Sequence, residues 1–415
     1  MSHSKLFLLY LPITALLPTL LCWYVGRNLL GPLAASRRLV YATIALVFPL
    51  GLSTVLALTF WSEQDRAPIR LLVSSGFLVL GALLTAAGLL LVRDLLRLGW
   101  WVARKWRNPV ATADEPSVAG VFRGHMHGIA QRRLWVSSWI VLATTGVFLW
   151  LGRRGAEQVP VVHRVSIPIR SLPGAFTNYR IAQLTDIHLH GRVDVERAQR
   201  LVAQVNALDV DLLALTGDIV DGPLDNVHDT LLPLGDLRAR DGVYVAMGNH
   251  ENYADADACA DEFRRLGFRV LLNEHRVVTR GLDRLVVAGV TNPQHGMHGA
   301  KYTTIQGRIG NLRSDAAAAI AGAPLDAPKV LLAHQPKSIA DAKGLGFDLA
   351  LAGHTHGGQF FPWSIGVGLI FPYSAGLYVD SGTQIYISPG VGTFGPPLRL
   401  GTTPEVAVLE LTAIR

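Results

Sequence analysis

Residues 180–188 read RIAQLTDIH, a short apolar run of strand character that ends on Asp186 and, two residues later, His188. The same event recurs down the chain. Leu212–Thr216 is followed by Gly217 and Asp218, Val243–Ala246 by Gly248, Asn249, His250 and Glu251, Val330–Ala333 by His334, and Leu349–Ala352 by Gly353, His354, Thr355 and His356. Together with Leu285–Val290, these short runs rich in Val, Leu and Ala have the pattern of buried strands. Apolar residues at helical spacing over 193–208 and 254–266 fall between them. Strand then helix, repeated, predicts an α/β domain of layered sheets. In such a domain the carboxyl ends of the strands open onto a common edge, so the Asp, His and Asn side chains that follow them converge on one crevice.

Asp, His and Asn are ligands for divalent cations, and phosphoester cleavage is one chemistry that such ions serve. Cleaving a phosphorus–oxygen bond near neutral pH needs a hydroxide and neutralisation of charge on the equatorial and leaving oxygens, and two divalent ions about 4 Å apart supply both. A carboxylate can bridge two ions, while neutral imidazoles and an amide oxygen fill the other positions without repelling the phosphate. The ordered set D-x-H, GD, GNH, a lone H and GHxH resembles the calcineurin-like metallophosphoesterases, over 179–411. The fuller forms, GHTHGGQ at 353–359 and the stretch 395–405, look most like the membrane-associated branch related to bacterial YkuE and YaeI proteins.

The resemblance implies a four-layer α/β/β/α sandwich and a metal-dependent phosphoric ester hydrolase working with two divalent metal ions (Mn, Fe or Zn). It implies that Asp186, His188 and His356 hold the first metal and Asn249, His334 and His354 the second, with Asp218 bridging. His250 matches the residue that faces the leaving oxygen, as proton donor or charge stabiliser, which makes His250 and Asp218 the expected catalytic residues. The family often has Asp where Glu251 stands; that carboxylate is expected to orient His250 or a ligand. Arg399, in GPPLRLG, is read as reaching a substrate phosphate alongside His250 or as forming a structural ion pair. Asp221, Gly222 and Asn226 are expected to shape the turn after Asp218, while His190, His295 and His298 either line the pocket or are solvated. Phe360–Phe371 is either a core strand or turn, or an apolar surface beside the metals suited to a lipid tail or a bilayer.

The first 155 residues are of another kind. Four charge-free stretches, 6–24, 39–61, 71–92 and 134–151, are long enough to cross a bilayer core as helices. Residues 1–155 hold 16 Lys plus Arg against 5 Asp plus Glu, a net +11, leaving 22 against 26, a net −4, for the remainder. The basic excess thus belongs to the membrane half, and no nucleic-acid partner is expected. With four spans, the loops after the first and third carry eleven Lys or Arg against seven on the opposite side. The positive-inside rule then places the catalytic domain outside the cytoplasm. The basic, Trp-rich segment 93–107 is either a helix in the headgroup layer or an extension of the third span.

The chain therefore reads as a multi-pass cell-membrane anchor over 1–155, a linker with a lead-in strand over 156–178 and a metallophosphoesterase domain over 179–415. Its expected activity is hydrolysis of a phosphodiester or phosphomonoester by a metal-activated hydroxide, with a phospholipid or lipid-linked substrate favoured by the tether. The alternatives are a pyrophosphatase acting on a nucleotide-linked lipid precursor, which needs the domain in the cytoplasm, and a non-catalytic metal-binding membrane scaffold.

Overall fold

The computed structural model describes residues 19–30, 67–107, 119–190, 195–292 and 312–414. The chain divides into two compact units, one of 1–60 with 68–153 and the other of 61–67 with 154–415.

In the first unit, 19–25 is α-helical and Gly26–Leu30 continues as π-helix. Two long helices follow, α1 (Ala67–Arg107) and α2 (Ala119–Ala156). Cys22, Val25 and Leu29 pack with Leu83, Ala86, Leu90 and Val141 in one apolar cluster. Within these helices, Val73–Arg104 and Gln131–Ala156 are long and apolar enough to cross a membrane. The expected spans 71–92 and 134–151 fall on them, whereas 39–61 and most of 6–24 lie outside the described residues. At 1.5 Å per residue the 41 residues of α1 reach about 60 Å, twice a bilayer core. The basic segment 93–107 is the unbroken end of that helix, with Leu96, Trp100, Trp101 and Trp106 exposed.

The second unit is built on two six-stranded mixed sheets. The first contains β1 (Val161–Ile169), β2 (Tyr179–Leu184), β3 (Leu212–Thr216), β4 (Val243–Ala246), β5 (Arg269–Val270) and β12 (Glu405–Ala413), in the order β1-β12-β2-β3-β4-β5. The second contains β6 (Glu274–Arg280), β7 (Asp283–Gly289), β8 (Lys329–Leu332), β9 (Leu349–Ala352), β10 (Gly376–Asp380) and β11 (Thr383–Ile387), in the order β10-β11-β9-β8-β7-β6. β2 to β5 run parallel, as do β7, β8, β9 and β11, so the ligand-bearing loops leave each sheet from one end.

Strand alternation sorts the core into layers. In β3, Leu212 and Ala214 face the second sheet, together with Ile181, Tyr244, Val287, Leu332 and Leu349. Leu213 and Leu215 face outward onto Leu201 and Val205 of α3 (Val195–Asn206), Val227 of α4 (Leu224–Leu231) and Phe263 of α6 (Ala256–Arg265), which follows the short α5 (Asn249–Ala254). On the far side, Leu331, Ala350 and Ile385 pack on Ala319 of α7 (Ala316–Ala319) and Ile339 of α8 (Pro336–Asp341). The result is an α/β/β/α sandwich.

Two local readings change. The helix expected over 254–266 begins two residues later, because the Asp255 carboxylate accepts from Ala258 N at 3.0 Å and caps α6 there. Residues 360–371 form neither a core strand nor a buried turn but α9 (Trp363–Ile370), in which only Val367 is buried. His295 and His298 lie outside the described residues.

Candidate metal centre

Three of the five ligand-bearing loops, those after β2, β3 and β9, arrive with a strained backbone. Asp186, His188, Asp218, His354 and His356 all have φ between 51° and 71°, the left-handed region that non-glycine residues occupy at about 1 kcal/mol or more each. Packing across the sheets holds them there. Gln183 Nε2 donates to Thr216 Oγ1 (2.8 Å) and to the Ala352 carbonyl (2.9 Å), tying β2 and β3 to β9 just before their ligand-bearing loops. Two glycines permit close approaches to the ligand carboxylates: a Cβ on Gly248 would lie 2.2 Å from Asp218 Oδ1, and one on Gly353 would lie 2.2 Å from Asp186 Oδ2.

Two groups of donor atoms result. His188 Nε2 and His356 Nε2 stand 3.2 Å apart and face Asp186 Oδ1 at 3.9 and 3.3 Å. His334 Nε2 faces Asp218 Oδ2 at 3.1 Å, Asn249 Oδ1 at 3.1 Å and His354 Nδ1 at 3.2 Å. Asp218 Oδ2 also lies 4.0 Å from His188 Nε2, so one oxygen stands between the groups. The structure thus gathers all seven residues expected as metal ligands.

This donor set fits cations. His334 Nδ1 is 2.8 Å from the Thr216 carbonyl, which can only accept, so Nδ1 carries a proton and Nε2 presents its lone pair to a carboxylate, an amide oxygen and a second imidazole. Only a proton or a metal reconciles these neighbours. Burial alone would lower the His334 pKa, but Asp218 outweighs it and pushes the value up to about 9. Burial and the neighbouring histidine His334 lower His354 to about 3, and burial with His188 and Arg399 takes His356 well below its ordinary value. Neutral imidazole is the ligating form. Asp218 opposes a large burial penalty with the charges of His334 and His250 and is held well below the usual carboxylate range.

Glu251 anchors the loop that carries Asp218. It accepts backbone N–H bonds from Asp218 (2.9 Å), Ile219 (2.7 Å), Val220 (3.1 Å) and Gly248 (2.7 Å). Its carboxylate therefore orients a ligand loop rather than the His250 ring.

Asp221 has a larger part than shaping a turn. Its Oδ1 lies 2.6 Å from His250 Nδ1 and its Oδ2 lies 3.6 Å from His188 Nδ1. With Nδ1 thus engaged, His250 turns Nε2 towards Asp218 Oδ2 at 3.9 Å. Burial opposes protonation of His250, yet Asp218 and Asp221 overcome it and raise the pKa to about 10. The spacing GDIVD, three residues from Asp218 to Asp221 at a strand end, was the available signal.

Arg399 lies buried behind His356. Only 1% exposed, it donates to the carbonyls of Pro389, Gly390 and Gly392 and lies 3.4 Å from His356 Nδ1. Among the described residues it makes no ion pair; the guanidinium braces the 389–392 loop behind His356. Phe394, whose ring centroid lies 5.3 Å from that of His250 and 6.0 Å from that of His188, lines the same crevice and was not singled out from sequence. His190 is exposed, with Nδ1 3.0 Å from the His188 carbonyl.

Comparison with known proteins follows the same residues. The calcineurin-like phosphoesterase family model matches 179–358. Over 429 residues the chain is 30% identical to a Danio rerio transmembrane protein with metallophosphoesterase domain, covering 98% of this chain and 89% of that one. It is 35% identical over 272 residues to an uncharacterized Helicobacter pylori metallophosphoesterase, covering 65% of this chain and 68% of the relative. It is 28% identical over 256 residues to the Bacillus subtilis metallophosphoesterase YkuE, covering 58% of this chain and 81% of that protein. The chain belongs to the calcineurin-like phosphoesterases, metal-dependent phosphoester hydrolases that use two divalent ions.

Proposed function

We propose that this protein is a membrane-anchored phosphoesterase in which Asp186, His188 and His356 hold one divalent ion, Asn249, His334 and His354 hold the other, and Asp218 is shared. The observation that carries this reading is the single oxygen, Asp218 Oδ2, lying between two groups of buried nitrogen and oxygen donors. When bound, such ions supply a nucleophilic hydroxide near neutral pH and neutralise charge on the phosphoryl oxygens. The protein's own residues supply the rest. Asp221 fixes the His250 ring through Nδ1, so the protonated Nε2 faces the crevice and hands its proton to the departing oxygen. Glu251 holds the Asp218 loop, and the Phe394 ring stands edge-on beside His250.

The substrate class is a lipid-linked or phospholipid phosphoester, supported by two helices of membrane-crossing length and by a relative over nearly the full chain that is named a transmembrane protein. In this reading the first 155 residues cross the membrane four times, at 6–24, 39–61, 71–92 and 134–151, and the basic loops hold the catalytic domain outside the cytoplasm.

Purified protein with manganese is expected to hydrolyse an aryl phosphodiester, with His250→Ala lowering kcat by about 100-fold or more and leaving manganese affinity within about threefold. Unchanged turnover in that variant refutes the role. Asp221→Asn is expected to slow turnover by about tenfold. It also moves the alkaline limb of the pH profile to lower pH, because one of the two carboxylates that retain the His250 proton is gone; an unmoved limb contradicts the pairing. Gly248→Ala drives a methyl into Asp218 and is expected to weaken manganese binding by about tenfold or more, read by calorimetry. A C-terminal alkaline phosphatase fusion, active only outside the cytoplasm, is expected to be active; an inactive fusion favours the cytoplasmic pyrophosphatase alternative.

A further inference from the structure

Residues 360–379, FFPWSIGVGLIFPYSAGLYV, contain no charged side chain. On the surface of a water-soluble domain such a stretch is normally folded inward, yet here α9 and β10 carry it outward. Trp363, Ile365, Leu369 and Ile370 are exposed, Leu369 by 83%, and Leu377 and Val379 of β10 are exposed as well. Gly366 and Gly368 sit in the middle of α9 with open space where a side chain would be. Each weakens an isolated helix by roughly 1 kcal/mol, so the exposed helix is not arranged for its own stability.

Its position is specific. α9 starts four residues after Gln359, the end of the GHTHGGQ block, and its Ser364 packs directly on Gly358 in the turn that carries His356. Phe371, immediately after α9, brings its ring centroid to 5.8 Å from that of His354. The apolar face therefore adjoins the donor cluster.

We propose that α9 is a membrane-inserting element that seats the domain on the bilayer surface and admits an acyl-bearing phosphoester to the metal centre from the lipid side; this rests on the phosphoesterase reading above. Three observations favour a bilayer as the occupant. Only Glu157 to Pro160 separate α2 from β1, about 15 Å at full extension, so a membrane-spanning α2 keeps the domain at the surface, where a weak apolar contact is sufficient. Exposed Trp363 and three exposed aliphatic neighbours, Ile365, Leu369 and Ile370, on a short uncharged helix suit insertion to about 5–10 Å at the headgroup boundary, with no acidic group on the helix to oppose anionic lipid. A helix of eight residues, about 12 Å long, is far too small for the roughly 800 Å² per partner of a stable protein interface.

The test uses the full chain reconstituted in vesicles of phosphatidylcholine and phosphatidylglycerol. An environment-sensitive fluorophore is attached at Leu369→Cys and, as reference, at Leu325→Cys, a site 93% exposed elsewhere on the domain; both native cysteines are buried. Brominated lipid is expected to quench the label at 369 at least about threefold more than at 325. Equal quenching overturns the proposal, as does a blue-shifted label that brominated lipid does not reach, which would mean that a second copy covers α9. This arm needs no turnover, so it stands apart from the phosphoesterase reading. In the second arm, Leu369→Ser with Ile370→Ser is expected to leave hydrolysis of a soluble aryl phosphodiester within about twofold while lowering that of a vesicle-embedded acyl-chain analogue by about tenfold. Equal effects on the two substrates overturn the lipid-side access.

Discussion

Three carboxylates, Asp186, Asp218 and Asp221, are buried in one crevice, and everything else at the strand ends answers the problem they create. Buried anions without partners are prohibitively unfavourable. The chain meets this locally with backbone N–H groups, since His250 N donates to Asp218 Oδ1 at 2.9 Å and His354 N to Asp186 Oδ2 at 3.0 Å. It meets it globally with imidazoles that arrive from different strands of both sheets. The positive φ values of five of these residues are a consequence of forcing loops from two sheets to aim side chains at common points. A crevice this crowded with lone pairs is arranged for cations and not for its own stability.

The sandwich positions these groups by its topology. The parallel runs of each sheet deliver Asp186, Asp218 and Asn249 from one side and His334, His354 and His356 from the other. Glu251 and Gln183 then act as ties, one between adjacent loops of a sheet and the other across the two sheets. Arg399 completes the support behind His356 by gathering carbonyls of the 389–392 loop, a place where a guanidinium offers several donors at once.

Much of this is legible in the sequence. β3, β4 and β9 are buried on both faces, so their unbroken apolar runs mark them cleanly, and the ligands follow at their ends. β1 falls within the expected lead-in strand, whereas the edge strands β6 and β10 carry charges or polar groups and lack such a run. The pairing of Asp221 with His250 depends on two side chains 29 residues apart whose approach is a tertiary fact. The burial of Arg399 behind His356 is likewise a tertiary fact, which its place in GPPLRLG does not disclose. The outward turn of α9 was open in the sequence, because an apolar run alone does not say which side faces water.

The shared position of Asp218 is where the account stands or falls. Electron paramagnetic resonance of the manganese-loaded protein addresses it directly, because two ions joined through one carboxylate are exchange-coupled. The account predicts two bound ions per chain and a coupled spectrum; a protein that binds no manganese, or binds it only as magnetically isolated ions, contradicts it.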